Sequence, residues 1–242
     1  MAYRYLLLYK PYNVLSQFTD GRSTDSRSIN SQSVNGQSVN GKSRATLKDF
    51  VNVPNVYAVG RLDRDSEGLL LLTDDGPMQH RLSHPKFGHR RQYWVQVEHA
   101  PNSPPLEAAL EKLRQGISIR DYRTRPAQAR AIAPPTLPPR NPPIRYRKQV
   151  PTTWLEIILS EGKNRQVRRM TAAVGFPTLR LVRSAVLLPS ESARGATAKR
   201  RANKPRSQTD KPTAEKPLTL AGLQPGQWRD LTPEEVRRLP RR

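Results

Sequence analysis

Residues 60–73 read Gly-Arg-Leu-Asp-Arg-Asp-Ser-Glu-Gly-Leu-Leu-Leu-Leu-Thr. Three carboxylates, Asp63, Asp65 and Glu67, therefore stand among two arginines, between two glycines, and directly ahead of an apolar run. Carboxylates serve as covalent nucleophiles or proton acceptors, and arginines orient them through charge-assisted hydrogen bonds. Glycine admits backbone shapes that other residues resist, and loops on a rigid scaffold carry much of protein chemistry. The same acids imitate the opening of a calcium loop, with Asp63, Asp65, Glu67 and Gly68 at its first, third, fifth and sixth positions. The ninth position is then Leu71, and Asp74 stands at the twelfth, where a bidentate glutamate belongs. Leu69 to Leu72 moreover read as strand, not as entry into a helix. Calcium is disfavoured, and for this segment alone a structural ion-pair turn stands beside a reactive loop.

A second charged segment, Glu161-Gly-Lys-Asn-Arg-Gln-Val-Arg-Arg-Met170, predicts a helix with Asn164 as its N-cap, running to Gly175. At 3.6 residues per turn, Arg165, Arg168 and Arg169 share one face while Val167, Met170 and Val174 occupy the opposite one. Such a helix packs on one side and offers guanidinium groups on the other, either to phosphate or to a carboxylate. His80 and His84 lie one helical turn apart, a spacing that can bind zinc. No glutamate sits in the pair between them and no third ligand is in sight, so a solvated helix face is expected and no metal site. Cysteine is absent, which removes disulfides, cysteine-ligated zinc and thiolate nucleophiles together.

The elements that must position these residues belong to a chain of 242 residues, long enough for one domain or two small ones, whose 35% hydrophobic content can supply a core. Its 42 Lys and Arg against 20 Asp and Glu give a formal net charge of +22 and a pI near 11.1. Cationic surfaces bind phosphates by releasing counterions, so a polyanion, nucleic acid first, is the expected partner. The apolar runs are far too short to span a bilayer, and no charged amphipathic helix dominates the chain. The opening Met-Ala-Tyr-Arg-Tyr-Leu-Leu-Leu-Tyr is too brief and too interrupted for a secretory signal, so the cytoplasm is the expected location.

Residues 3–9 predict a strand closed by Lys10-Pro11, and Thr46 suits the N-cap of a helix over 47–51. Residues 69–73 predict a strand, followed by a short helix that starts near Pro77 and ends near His84-Pro85. Alternation over 91–97 predicts a strand with Tyr93, Val95 and Val97 on one side. Leu106, Ala109, Leu110 and Leu113 fall at helical spacing after Ser103-Pro104, with Gly116 as the stop. Paired prolines at 134–135, 138–139 and 142–143 make an extended connection, read as a loop packed on the domain, and residues 154–159 return to strand. Two segments stand apart. Residues 21–42 are rich in Ser, Asn, Gln and Gly and repeat Gln-Ser-Val-Asn-Gly twice, which predicts a flexible surface loop. Residues 190–217 are basic and nearly free of large apolar side chains, which predicts a disordered insertion before 218–231 rejoins the fold.

Together, residues 60–73 and 161–170 resemble the catalytic and C-terminal motifs of RNA pseudouridine synthases, in the group that includes RsuA, RluB, RluE and RluF. The resemblance extends through 5–18, 56–85, 91–97 and 141–186, and so covers most of the chain outside the two insertions. It implies an α+β pseudouridine synthase fold: a mixed, largely antiparallel sheet in two subdomains, with flanking helices and a central active cleft. The catalytic domain would comprise 1–189 and 218–235, without the S4 RNA-binding domain that several relatives carry at the N-terminus. The implied activity is isomerisation of a specific uridine of 23S rRNA, or of its large-subunit precursor, to pseudouridine, with neither metal nor organic cofactor. Another rRNA or tRNA uridine is the first alternative, and a noncatalytic RNA-binding assembly factor the second.

The resemblance also assigns roles. Asp63 matches the catalytic carboxylate, Arg168 the arginine that holds it, and Tyr93 the aromatic residue that packs on the flipped uracil. Arg61 matches the arginine that fills the vacated place in the RNA, and Arg165 and Arg169 join it as substrate contacts. A monomer is expected. Two departures stand out: Arg91 replaces the lysine of a Lys-x-Tyr pattern, and Asp74 stands where asparagine is common.

Overall fold

A computed structural model of the chain describes residues 3–20, 44–84, 89–99, 102–145, 147–188 and 217–240. In chain order its strands are β1 (Tyr5–Lys10), β2 (Tyr57–Ala58), β3 (Glu67–Thr73), β4 (Arg90–Glu98), β5 (Ser118–Ile119), β6 (Tyr122–Arg123), β7 (Gln128–Ile132), β8 (Thr152–Leu159), β9 (Thr178–Leu187), β10 (Pro217–Thr219) and β11 (Trp228–Asp230). The helices are α1 (Gly76–Ser83), α2 (Leu106–Gln115), α3 (Gln166–Ala173) and α4 (Pro233–Arg237).

Two leucine-rich strands explain the layering. β1 and β3 pair antiparallel with Leu7 opposite Leu71, and successive side chains point to opposite faces of the sheet. Leu6, Leu8, Leu70 and Leu72 therefore enter one core, while Leu7, Leu69 and Leu71 enter a second on the other face. A strand that is apolar at every position is buried on both faces, as these are. The first core takes Ala109, Leu110 and Leu113 from α2 and Val167 and Met170 from α3. The second takes Met78 and Leu82 from α1.

The sheet has nine strands in the order β11-β1-β3-β9-β4-β8-β7, with β10 added to β9 and β2 to β3, and β5–β6 forms a separate hairpin. Every pairing is antiparallel except β3 with β9, which meet over only Glu67 with Val182 and Gly68 with Arg183. This short joint divides the sheet into a half built on β1 and β3 and a half built on β4, β8 and β7. Gly68 makes the joint possible. Its φ is +111°, and a Cβ there would lie 2.3 Å from the Arg183 carbonyl oxygen, so only glycine lets the strands approach.

β3, β4 and β8 run one or two residues beyond their predicted ends, β1 begins two residues later than predicted and ends one later, and two local expectations change. Thr46 starts only a single 3-10 turn, Leu47–Asp49: Asp49 reaches back to the Thr46 backbone as in a capping box, but the chain leaves the turn at Phe50. Asn164 is not the cap of α3: Arg165 occupies that place in a left-handed conformation, φ 50°, and the Asn164 side chain accepts from Arg169 instead. The proline-rich connection packs on the domain, with Leu137 against the second core and the Pro138 carbonyl on Arg180. Residues 21–42 lie outside the described residues, as do 190–216, whereas Pro217 already begins β10.

Candidate active site

The loop between β2 and β3 is fixed from three sides. The Ser16 hydroxyl donates to the Leu62 carbonyl at 2.8 Å and accepts from the Leu62 N–H at 3.0 Å, and the Asn13 N–H donates to the Arg64 carbonyl at 2.8 Å. Lys10, wholly buried at the end of β1, holds that neighbouring turn by donating to the carbonyls of Pro11 and Val14, each at 2.8 Å. From the far side, Arg180 and Glu67 form a bidentate ion pair at 3.0 and 2.7 Å, both side chains being almost fully buried.

The third side is α3 and the turn before it. Arg165 grips Asp65 with both terminal nitrogens at 2.9 and 2.7 Å. Arg168 donates to the Asp65 carbonyl at 2.6 Å and brings Nε within 3.3 Å of its carboxylate. Burial alone would raise the Asp65 carboxyl, but the Arg165 hydrogen bonds and the Arg168 charge together hold it below the ordinary carboxylate range. Burial pushes Arg168 down from its usual value, against the attraction of Asp65. Lys10 is pushed down to about 7 by burial, with Glu67, Asp65 and Asp63 opposing the fall and Arg183 assisting it.

Above the loop opens a cleft of about 670 Å³, with Asp63, Arg61, Tyr93, Arg165, Lys163 and Arg183 in its wall. Asp63 projects into it, 30% exposed, and its nearest cation is the Arg165 Nη1 at 3.9 Å. Asp63 is thus the acid that lines the cleft with no ionic partner closer than 3.9 Å, while Asp65 and Glu67 are spent on the loop itself. Tyr93 lies at the base, 9% exposed, with its ring against the first core.

Four of the six predicted site residues, Asp63, Arg61, Tyr93 and Arg165, share this cleft. The other two do not. Arg168 sits behind the loop against Asp65, where a direct grip on Asp63 was expected, because the left-handed turn at Arg165 brings that residue forward and leaves Arg168 beneath. Arg169 turns to Asn164 at 2.8 Å. Sequence reasoning passed over Lys10 and Arg183. The signal for both is a charged residue inside an apolar strand, where a long side chain is costly unless hydrogen-bonded or paired. Among the described residues no group of acids and histidines has the arrangement to hold a metal ion. Also among them, no helix is long and apolar enough to cross a membrane.

Loop, cleft and sheet are those of an enzyme class that comparison identifies. Residues 4–173 match the family model described as RNA pseudouridylate synthase, and the chain belongs to that family: it is an RNA pseudouridine synthase. Among curated relatives it is 53% identical over 182 residues to the ribosomal large subunit pseudouridine synthase E of Xanthomonas axonopodis pv. citri (strain 306), covering 75% of this chain and 84% of that one. It is 47% identical to the protein of the same name from Xanthomonas campestris pv. campestris over 93% of each chain. The one from Vibrio vulnificus (strain CMCP6) is 44% identical, over 96% of this chain and 77% of that one. A solved structure described as a crystal structure of pseudouridylate synthase superposes with a TM-score of 0.62 at 22% identity, over 99% of this chain and 74% of that one, and shares the fold.

Proposed function

We propose that the chain converts one uridine of 23S rRNA, in the large subunit or its precursor, to pseudouridine, with Asp63 as the reacting carboxylate. The observation that carries the role of Asp63 is the division of labour in its loop: it alone of the three acids faces the cleft without a close ionic partner. The substrate address is supported by the relatives named as large-subunit synthases.

The reaction breaks the bond between ribose C1′ and uracil N1, turns the base, and joins C1′ to C5. The hydrogen of C5 leaves and N1 gains one, so atoms balance without redox change or group donor. A carboxylate at the ribose assists either by adding to the sugar or by taking a ribose proton, each dividing a difficult rearrangement into easier steps. The target base must first leave its stack, at a cost of a few kcal/mol. Stacking on Tyr93 returns about 1–3 kcal/mol, and Arg61 at the cleft wall is placed to contact the RNA around the vacated position. Arg165 holds Asp65 and faces Asp63, while Arg168 acts through the loop backbone. Arg169 acts through Asn164, a residue of the cleft wall that it holds by a hydrogen bond. The RNA is the only partner this chemistry requires, and a monomer suffices because all these groups come from one chain.

The test is site-resolved pseudouridine mapping of RNA from cells lacking the chain, and from the same cells complemented with wild type or Asp63→Asn. One large-subunit site should vanish, return with wild type, and stay absent with Asp63→Asn although that variant folds and binds RNA. Restoration by Asp63→Asn rejects the carboxylate assignment. Loss of a site in small-subunit rRNA or tRNA instead moves the substrate address.

A further inference from the structure

Arg183 carries a buried charge that the reaction as described does not use. It is 3% exposed, and among the described residues no carboxylate lies within ion-pair distance of it. Its Nε donates to the Leu69 carbonyl at 2.6 Å, and it stands directly opposite Tyr93 across the β4–β9 ladder, both residues lining the cleft. An irregularity in the sheet creates this encounter. β4 and β9 pair Gln92 with Ala185 and then Tyr93 with Arg183, leaving Ser184 without a partner across the ladder. Its hydroxyl instead reaches the Gln92 carbonyl at 3.3 Å. Bulges of this kind re-aim side chains next to active sites. Directly opposed residues of an antiparallel pair share one face, so the bulge turns Tyr93 and Arg183 together into the cleft.

We propose that Arg183 is a positioning residue for Tyr93, fixing the ring against the substrate base and directing the phenol proton into the cleft. A guanidinium has donors only, so the hydrogen bond that this placement allows is one the phenol oxygen accepts, leaving its own O–H free to donate elsewhere. When the C1′–N1 bond breaks, its electron pair goes to the base, whose carbonyl oxygens then carry the charge. An O–H polarised by a buried cation is a stronger donor to such an oxygen, and it acts where water is largely excluded. The inference rests on Tyr93 lying beside the base, as proposed above.

Turnover of an RNA transcript by Arg183→Met, Arg183→Lys, Tyr93→Phe and the Arg183→Met/Tyr93→Phe double variant tests it. Methionine removes the buried cation and keeps an apolar chain of similar length, at the cost of the donor to the Leu69 carbonyl. The expected result is KM near wild type with kcat lower by about tenfold to a hundredfold, the range for a hydrogen bond to a charged group. Lysine should restore part of the loss. Tyr93→Phe should fall by a comparable factor, and the double variant should be no worse than the poorer single one. Wild-type kcat in Arg183→Met, additive losses in the double variant, or absence of any gain from lysine overturns the proposal. Should Arg183→Met fail to fold, Arg183→Lys alone and with Tyr93→Phe makes the same comparison. If Tyr93→Phe and Tyr93→Ala both turn over normally, the placement of Tyr93 at the base is what fails. An impaired Tyr93→Phe beside a normal Arg183→Met removes Arg183 only.

Discussion

Asp63, Asp65 and Glu67 occupy alternate positions of one short loop and have three different environments. Asp63 enters the cleft, Asp65 takes both α3-side arginines, and Glu67 is sealed against Arg180. Lys10 lies beneath all three acids, and its proton is coupled to folding. In the folded chain it is lost at a pH of about 7, whereas an exposed lysine keeps it to 10.5. Between those values the unfolded chain binds more protons, so stability rises with pH across the window by up to about 1.4 kcal/mol per unit. Below it both states are protonated and this contribution is flat. Lys10→Met should lower stability overall by leaving two carbonyls without their donor, and should also remove that slope. Urea unfolding of both proteins from pH 7 to 9 measures it, and an unchanged slope in Lys10→Met would show that another group titrates. The sequence made the loop that carries Asp63 into the cleft wall legible, because the Gly-Arg-Leu-Asp motif is local. It could not assign Arg165 and Arg168 between Asp63 and Asp65, since that choice depends on a single left-handed residue that no pattern announces.

The joint between β3 and β9 sets the distance from the loop carboxylates to Tyr93 and Arg183. Gly68→Ala would drive a Cβ into the Arg183 backbone at 2.3 Å and would strain a φ of +111° as well. Backbone cannot swing aside as a side chain does, so the loss should exceed about 3 kcal/mol. Gly60 is the control: its φ is +72°, but nothing lies within 4 Å, so Gly60→Ala should lose only the left-handed strain, about 1–2 kcal/mol. Chemical denaturation of the two variants compares them, and equal midpoints would show that the β3–β9 approach is not the constraint. Most elements were legible from periodicity, as the buried triplets of α2 and the alternation of β4 show. The bulge opposite Tyr93 was not, because nothing in the composition of Arg183-Ser184-Ala185 marks which residue will stand outside the ladder.

At the scale of the whole molecule, a net charge of +22 makes affinity for RNA a matter of phosphate neutralisation, and part of that charge is concentrated in one stretch of sequence. Residues 190–216 hold eight Lys and Arg against three acids. They lie outside the described residues, but their flanks do not: Pro217 pairs with Leu187 across β10 and β9, so the two ends of the segment are neighbours. A short Gly-Ser turn can therefore replace 190–216 without parting the strands. Phosphate contacts position a protein and do not read sequence, so the variant should bind RNA more weakly yet modify the same uridine. Each lost contact removes about 0.7 to 0.9 from the slope of log affinity against log salt, which makes the salt dependence shallower. Filter binding across a salt series, with pseudouridine mapping of the product, reads both quantities. Modification of a different uridine would place target choice in the deleted segment, and an unchanged slope would show that its charges never meet the RNA.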